Sequence, residues 1–161
     1  MANGGSVERV RAALAAAGHP DTIREFPATT RTAADAAAAI GCTVAQIAKS
    51  IVLRAGDRAA VVIASGVNRV DAKKVSALLG LPLRRADGDW VRAQTGFAIG
   101  GVAPLGHIVP PLLVFDRDLL DLHPIWAAAG SPHHVFSTEA ATLARITGAV
   151  VADIRQQNAE E

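Results

Sequence analysis

Ser50-Ile51-Val52-Leu53-Arg54-Ala55-Gly56-Asp57-Arg58-Ala59-Ala60-Val61-Val62-Ile63-Ala64 decides the fold class of this chain. Two apolar, β-branched runs flank Gly56-Asp57, which predicts a tight hairpin joining strands over 50–54 and 59–64. Ser65-Gly66-Val67-Asn68 breaks the second strand, and Asp71 caps a helix over 72–79 that ends at Gly80. Upstream, Thr32-Ala33-Ala34-Asp35 opens an alanine-rich helix that stops at Gly41. Thr43-Val44-Ala45-Gln46 is a second capping signature, for a short helix running into Lys49. Ser6 is the expected cap of a first helix, with Val7, Val10 and Leu14 at helical spacing and Gly18 closing it. A short strand over 21–26 follows, ended by Pro27.

Downstream, residues 81–85 carry a proline and make at most an edge strand. Asp87 caps a helix that holds Trp90 and Val91 and ends at Gly96. A strand over 112–115 leads to a helical turn over 116–120. Residues 125–129 and 133–136 then form a hairpin around Gly130-Ser131-Pro132. Thr138 is the expected cap of a last helix ended by Gly148, before a strand over 149–154. Consecutive hairpins argue against a purely parallel sheet. The expected architecture is therefore one mixed α/β (α+β) domain over residues 1–161, with 155–161 as a flexible tail.

Half of the 161 residues are apolar and only 4% aromatic, so Ala, Val, Leu and Ile must build the core. A net charge of +1 argues against a protein that coats nucleic acid through a broad basic face, but not against one that grips a short end. The single cysteine, Cys42, rules out an internal disulfide and a multi-cysteine zinc site. No apolar run is long enough to span a bilayer, and the N-terminus lacks a basic-then-apolar signal pattern. A cytoplasmic protein with no membrane partner is expected.

One stretch stands apart: Thr95-Gly96-Phe97-Ala98-Ile99-Gly100-Gly101-Val102-Ala103-Pro104-Leu105-Gly106-His107. Its glycines permit close backbone approach, and Pro104 pushes Ala103 out of the helical region. It reads either as a shaped loop offering backbone N–H groups to a ligand or as a tight buried turn. Lys49 is the most informative polar residue. The chain has 16 Lys plus Arg, yet lysine occurs only at 49, 73 and 74. A compact ammonium at 49 is either required by a ligand or belongs to a snorkelling surface lysine. Lys73 and Lys74 are expected to be merely solvated.

Other chemistries find little support. His133 and His134 are adjacent and point to opposite faces of a strand, and no H-E-x-x-H occurs, so no metal site is expected. No G-x-S-x-G elbow and no phosphate-loop signature is present, and no cofactor is expected. The glycine-proline loop, Lys49, His107 and the segment from Ser65 to Asn68 remain.

Together, Ala48-Lys49-Ser50-Ile51-Val52, Ser65-Gly66-Val67-Asn68-Arg69-Val70-Asp71 and Gly96-Phe97-Ala98-Ile99-Gly100-Gly101-Val102-Ala103-Pro104 resemble the YbaK family. These are free-standing relatives of the editing domain inserted in bacterial prolyl-tRNA synthetase. The resemblance spans about residues 20–155, with the lysine and a G-x-x-x-P motif, Gly100 to Pro104, in the family's order and spacing. It implies a mixed, partly barrel-like β-sheet wrapped by helices, and hydrolysis of mischarged aminoacyl-tRNA. The implied substrate is tRNA for proline carrying Ala, Ser, Thr or Cys.

On that resemblance Lys49 matches the functional lysine, expected to hold the terminal adenosine's phosphate or its 2′-hydroxyl. Gly100 and Gly101 match the loop that positions the ester carbonyl and attacking water, and Pro104 keeps that loop in shape. Ser65, Gly66, Asn68, Val102 and Ala103 are the further expected substrate contacts. His107 is either a proton donor or orienter of the substrate's amino group, or a loop histidine bonded to backbone. The chain departs from the bacterial Cys-tRNA deacylase branch around His107 and Gly130-Ser131-Pro132-His133. The implied partners are the aminoacyl-tRNA acceptor end, helped by Arg54, Arg69, Arg84, Arg85 and Arg92, and prolyl-tRNA synthetase; a monomer is favoured. Two other classes stay open: a non-catalytic acceptor-end binding module, and a small-molecule protein whose loop holds a nucleotide phosphate.

Overall fold

In chain order the elements are α1 (Ala2–Ala16), β1 (Ile23–Glu25), α2 (Ala33–Ile40), a 3₁₀ turn (Val44–Gln46), β2 (Ile47–Ala55), β3 (Arg58–Ser65), α3 (Ala72–Leu79) and β4 (Arg84–Arg85). They continue with α4 (Gly88–Thr95), β5 (Leu112–Asp116), a second 3₁₀ turn (Arg117–Asp121), β6 (Ile125–Ser131), β7 (His134–Thr138), α5 (Ala140–Thr147) and β8 (Val150–Ala152). The structure is a computed structural model and describes residues 2–157.

The hairpin forms where its sequence predicts. β2 and β3 pair antiparallel from Ala48↔Ser65 to Ala55↔Arg58, across Gly56-Asp57. β3 also pairs in parallel with β5, so both of its edges are occupied. Both of its faces are covered too, which explains its unbroken apolar run. Val61 and Ile63 enter the larger core with Phe97, Phe115 and Phe136, whereas Val62 and Ala64 meet Val75 and Ile154 on the opposite face. Each such Val or Ile side chain contributes about 1.5–3 kcal/mol by leaving water.

The sheet is eight-stranded and mixed, in the order β1-β7-β6-β2-β3-β5-β8, with β4 attached to β2. Helices α1, α4 and α5 pack into the larger core on one face, and α2 and α3 cover the other. The second edge of β2 is divided. It runs parallel to β6 only at Ile47↔Trp126 and Ala48↔Ala127, and antiparallel to β4 only at Leu53↔Arg85 and Arg54↔Arg84. Residues 49–52 have no strand partner on that edge, so the sheet forks there.

Several local expectations are corrected. Ser6 lies inside α1 and does not cap it; its hydroxyl donates to the Gly130 carbonyl at 2.7 Å and ties the helix to β6. The Thr43–Gln46 capping box forms, but its helix is one 3₁₀ turn ending at Gln46, and Lys49 is already in β2. The β-branched run and its pairing with β3 outweigh helix continuation there. Thr138 ends β7 and leaves Glu139 as the cap of α5, because its hydroxyl meets His19 Nε2 at 2.8 Å. Lys74 is engaged as well as solvated, with Nζ 2.9 Å from Asp153 Oδ2 and 2.8 Å from the Arg155 carbonyl. The expected tail starts too early: Arg155 bridges Val70, and the Gln156 N–H donates to the Arg69 carbonyl at 2.8 Å. Residues 158–161 of that tail lie outside the described residues. No helix among the described residues is long and apolar enough to cross a membrane.

Candidate active site

The fork in the sheet opens a cleft of about 230 Å³. Residues 47–51 of β2, 126–128 of β6, 30–33 at the entry to α2, and Ile99, Gly100 and Val102 of the glycine loop line it. Segment 30–33 is anchored by Thr30, whose N–H and hydroxyl both donate to the Pro132 carbonyl, at 2.6 and 2.8 Å. The charged lining residues are Arg31 and Lys49; among the described residues no carboxylate, imidazole or thiol lines the cleft. Such a site attracts anions.

Lys49 is half-buried and donates a long hydrogen bond to the Gly66 carbonyl, 3.3 Å away. Burial, and then the positive charge of Arg69, push its pKa below the usual lysine value, while Asp116 pulls the other way. The turn behind it is fixed by Asp116, which is 1% exposed. Asp116 Oδ2 accepts from the Ser65 N–H at 3.0 Å and from Asn68 Nδ2 at 2.8 Å, and Ser65 Oγ donates to the Ala45 carbonyl at 2.7 Å. Ser65, Gly66 and Asn68 therefore sit behind Lys49 and outside the cleft lining. The polar groups of Ser65 and Asn68 hold the turn whose carbonyl Lys49 meets.

The glycine loop is pressed against two neighbours. Gly100 has φ +93°, and a Cβ there would run into the Arg31 side chain. A Cβ on Gly101 would stand 2.9 Å from Ser131 Cα and carbonyl carbon, in β6. The Gly101 N–H donates to the Ala98 carbonyl at 2.9 Å and closes a turn. By contrast, the N–H groups of Gly100 and Val102, both lining residues, meet no acceptor among the described residues. Ala103 and Pro104 are buried behind them.

His107 lies outside the cleft lining. Its Nε2 is 2.6 Å from the Ala103 carbonyl, and its ring stands edge-on to Phe97. A carbonyl only accepts, so Nε2 carries the proton and Nδ1, buried without a partner among the described residues, is bare. Burial lowers the His107 pKa, the Ala103 bond opposes that, and Arg9 adds to the lowering. Arg9 in turn donates to the Gly106 and Gly96 carbonyls at 3.1 and 2.8 Å and lies 4.9 Å over the Phe97 ring. The sign follows directly. With a folded pKa below the usual 6.5 or so, the unfolded chain binds the extra proton first, and stability is lost as pH falls through and below that value. Thermal melts should show the gap between wild type and His107→Gln shrinking from pH 7.5 to about 5.5. A gap independent of pH would remove His107 as the source.

Sequence reading missed Arg31, Trp126 and Ser50. Ser50 lines the cleft, and its Oγ is buried with no hydrogen-bond partner among the described residues. Only its place beside Lys49 pointed to it, and strand alternation argued against both residues reaching one site. The two do alternate, Lys49 pairing with Ala64 and Ser50 with Ile63 of the larger core, and both residues line the cleft where β2 parts from β6. Of the arginines expected to assist, Arg69 is exposed and acts on Lys49 electrostatically. Arg54 stacks on Trp90 at 4.6 Å, and Arg84, Arg85 and Arg92 lie exposed in β4 and α4.

Residues 27–146 match the aminoacyl-tRNA editing domain family. A solved structure described as a candidate trans-editing enzyme for prolyl tRNA synthetase superposes with a TM-score of 0.88 at 44% identity, covering 94% of this chain and 98% of that one. Another, described as hypothetical protein APE2540, gives 0.85 at 29% identity, covering 92% and 99%. The uncharacterised protein YwhH of Bacillus subtilis (strain 168) is 32% identical over 127 residues, 78% of this chain and 81% of its own length. The mixed fold and the resemblance read from the lysine and glycine-loop motifs are thus met, and the chain belongs to the aminoacyl-tRNA editing domain family.

Proposed function

We propose that this chain is one deacylase domain, acting in the cytoplasm, that hydrolyses the ester of tRNA for proline carrying a small non-cognate amino acid. What supports the reading most is that one cleft is lined by Lys49 and Arg31 with no carboxylate, and by Gly100 and Val102, whose N–H groups meet no acceptor, among the described residues. Lys49 holds the terminal adenosine's phosphate or 2′-hydroxyl, with Arg31 and Arg69 adding charge. The ester carbonyl oxygen lies against the Gly100 and Val102 N–H groups. Water adds to the carbonyl carbon, the resulting oxyanion takes those two hydrogen bonds, and collapse breaks the bond to the ribose oxygen. The vicinal 2′-hydroxyl relays the water's proton to the leaving oxygen, so no protein base is needed. Products are the free amino acid and the tRNA hydroxyl.

The loop's remaining members act by position. Gly101 allows contact with β6, Ala103 and Pro104 form the buried side of the loop, and His107 braces it through the Ala103 carbonyl. Ser65, Gly66 and Asn68 set the turn that orients Lys49. The cleft is small, about 230 Å³, and the alanines at 33, 36, 48, 127 and 128 leave room in it for a short side chain. A small cleft suits Ala, Ser, Thr or Cys over Pro, although methylene-sized differences supply only about 1–3 kcal/mol of discrimination. Prolyl-tRNA synthetase is the source of the mischarged ester and the natural partner.

The direct test is release of the amino acid from Ala-charged tRNA for proline above the spontaneous rate. Recognition of the acceptor end adds a salt prediction. Three cations, Lys49, Arg31 and Arg69, on single-stranded phosphates should weaken RNA binding about 20-fold between 50 and 200 mM salt. Affinity unchanged over that range would remove the electrostatic part of the account.

A further inference from the structure

The cleft floor continues across the sheet toward β1. Arg24 pairs with Val135 and Val135 with Ala128, so the three stand in one row across β1, β7 and β6 and share a face. Ala128 and Val135 already line the cleft. The β2–β6 pairing ends at Ala48↔Ala127, and Lys49, two residues on from Ile47, whose partner is Trp126, lies on that same face of the sheet where the strands part. Lys49 and Arg24 thus stand at opposite ends of a floor that includes Ala128 and Val135.

The far end of that floor is an aromatic and arginine ladder. The Arg24 guanidinium lies 5.1 Å from the Phe26 ring centroid and 5.8 Å from that of Trp126, a cleft-lining residue. Phe26 and Trp126 are half-buried, whereas Arg24 is exposed. Arg24 has no ion-pair or hydrogen-bond partner among the described residues; the neighbouring Glu25 carboxylate is instead 3.9 Å from His134. An arginine laid against rings keeps its N–H donors open at the edge of its plane, where they match phosphate oxygens. Its planar face and the ring faces offer stacking surface that any unpaired base can use.

We propose that Arg24, Phe26 and Trp126 form a second RNA subsite, which takes the unpaired nucleotide preceding the esterified terminal one. Its base stacks on the ladder and its phosphate meets the Arg24 guanidinium. The identity of the RNA end rests on the deacylase reading, but the subsite is measured by binding alone. The probes are an uncharged RNA hairpin ending in a four-nucleotide 3′ overhang and the same hairpin with a blunt end, titrated by fluorescence anisotropy. Wild type should prefer the overhang, and Arg24→Ala should cut that preference about 10-fold. Arg24→Lys should restore little of it, because the ammonium lacks the plane. Circular dichroism melts confirm that both variants are folded.

An unchanged preference in Arg24→Ala overturns the subsite, and so does equal weakening on both hairpins, which marks Arg24 as general surface charge. Full recovery in Arg24→Lys overturns it too, since a point charge would then suffice. Ester hydrolysis with an Arg24-independent preference sinks this proposal alone. An Arg24-dependent preference without ester hydrolysis sinks the deacylase reading and supports the subsite.

Discussion

Lys49→Ala is expected to lower the single-turnover rate of ester hydrolysis about 100-fold, the scale on which removal of one preorganised electrostatic contact acts. The variant should remain folded, because Lys49 makes a single long hydrogen bond, 3.3 Å to the Gly66 carbonyl. The turn that presents this carbonyl is held independently by Asp116 through Ser65 and Asn68. Truncation would leave Arg31 as the remaining cation lining the cleft. Lys49→Arg should rescue poorly, since a planar fork is bulkier and presents its donors in a different geometry from a compact ammonium. Rates and melting curves on the same preparations decide the matter. A folded alanine variant with the wild-type rate would remove Lys49 from the chemistry.

Gly101→Ala is expected to cost activity of comparable size, by a different route. The added methyl meets Ser131 Cα and carbonyl carbon at 2.9 Å, and these are strand backbone, which cannot swing away as a flexible side chain can. The loop must back off, carrying with it the Gly100 and Val102 N–H groups that face the ester in this account. A displacement approaching 1 Å at a positioned reacting group is enough to cost about 100-fold in rate. Overpacking of this kind also destabilises by about 1–3 kcal/mol, visible in denaturant melts. A Gly101→Ala protein with full activity would mean that the loop does not set the geometry of the reaction.

Much of the fold could be read from local chemistry. The Gly56-Asp57 hairpin, the caps at Thr32, Thr43, Asp71 and Asp87, and the helix ends at Gly41, Gly80, Gly96 and Gly148 are all decided within a few residues, and all are present. Ser6 and Thr138 misled because a hydroxyl near a helix start is a cap only when no distant partner claims it, and Gly130 and His19 do. The site was half legible. Lys49 and Gly100 line one cleft, but the fork that creates it depends on β2 meeting β6, far away in sequence, over two residue pairs only. No local pattern announces a ladder that stops. Arg31 and Trp126 join the cleft through that same long-range geometry. His107 was marked by its neighbourhood in the glycine loop, and in the fold its ring turns back to the Ala103 carbonyl and Phe97.

The central claim is tested most directly by incubating wild-type protein with Ala-, Ser-, Thr-, Cys- and Pro-charged tRNA for proline and following each ester. The account predicts loss of one or two of the small non-cognate esters, with Pro-tRNA spared. Survival of every ester, while the protein still binds the acceptor end tightly and in a salt-sensitive way, would contradict it and leave a binding module in place of an enzyme.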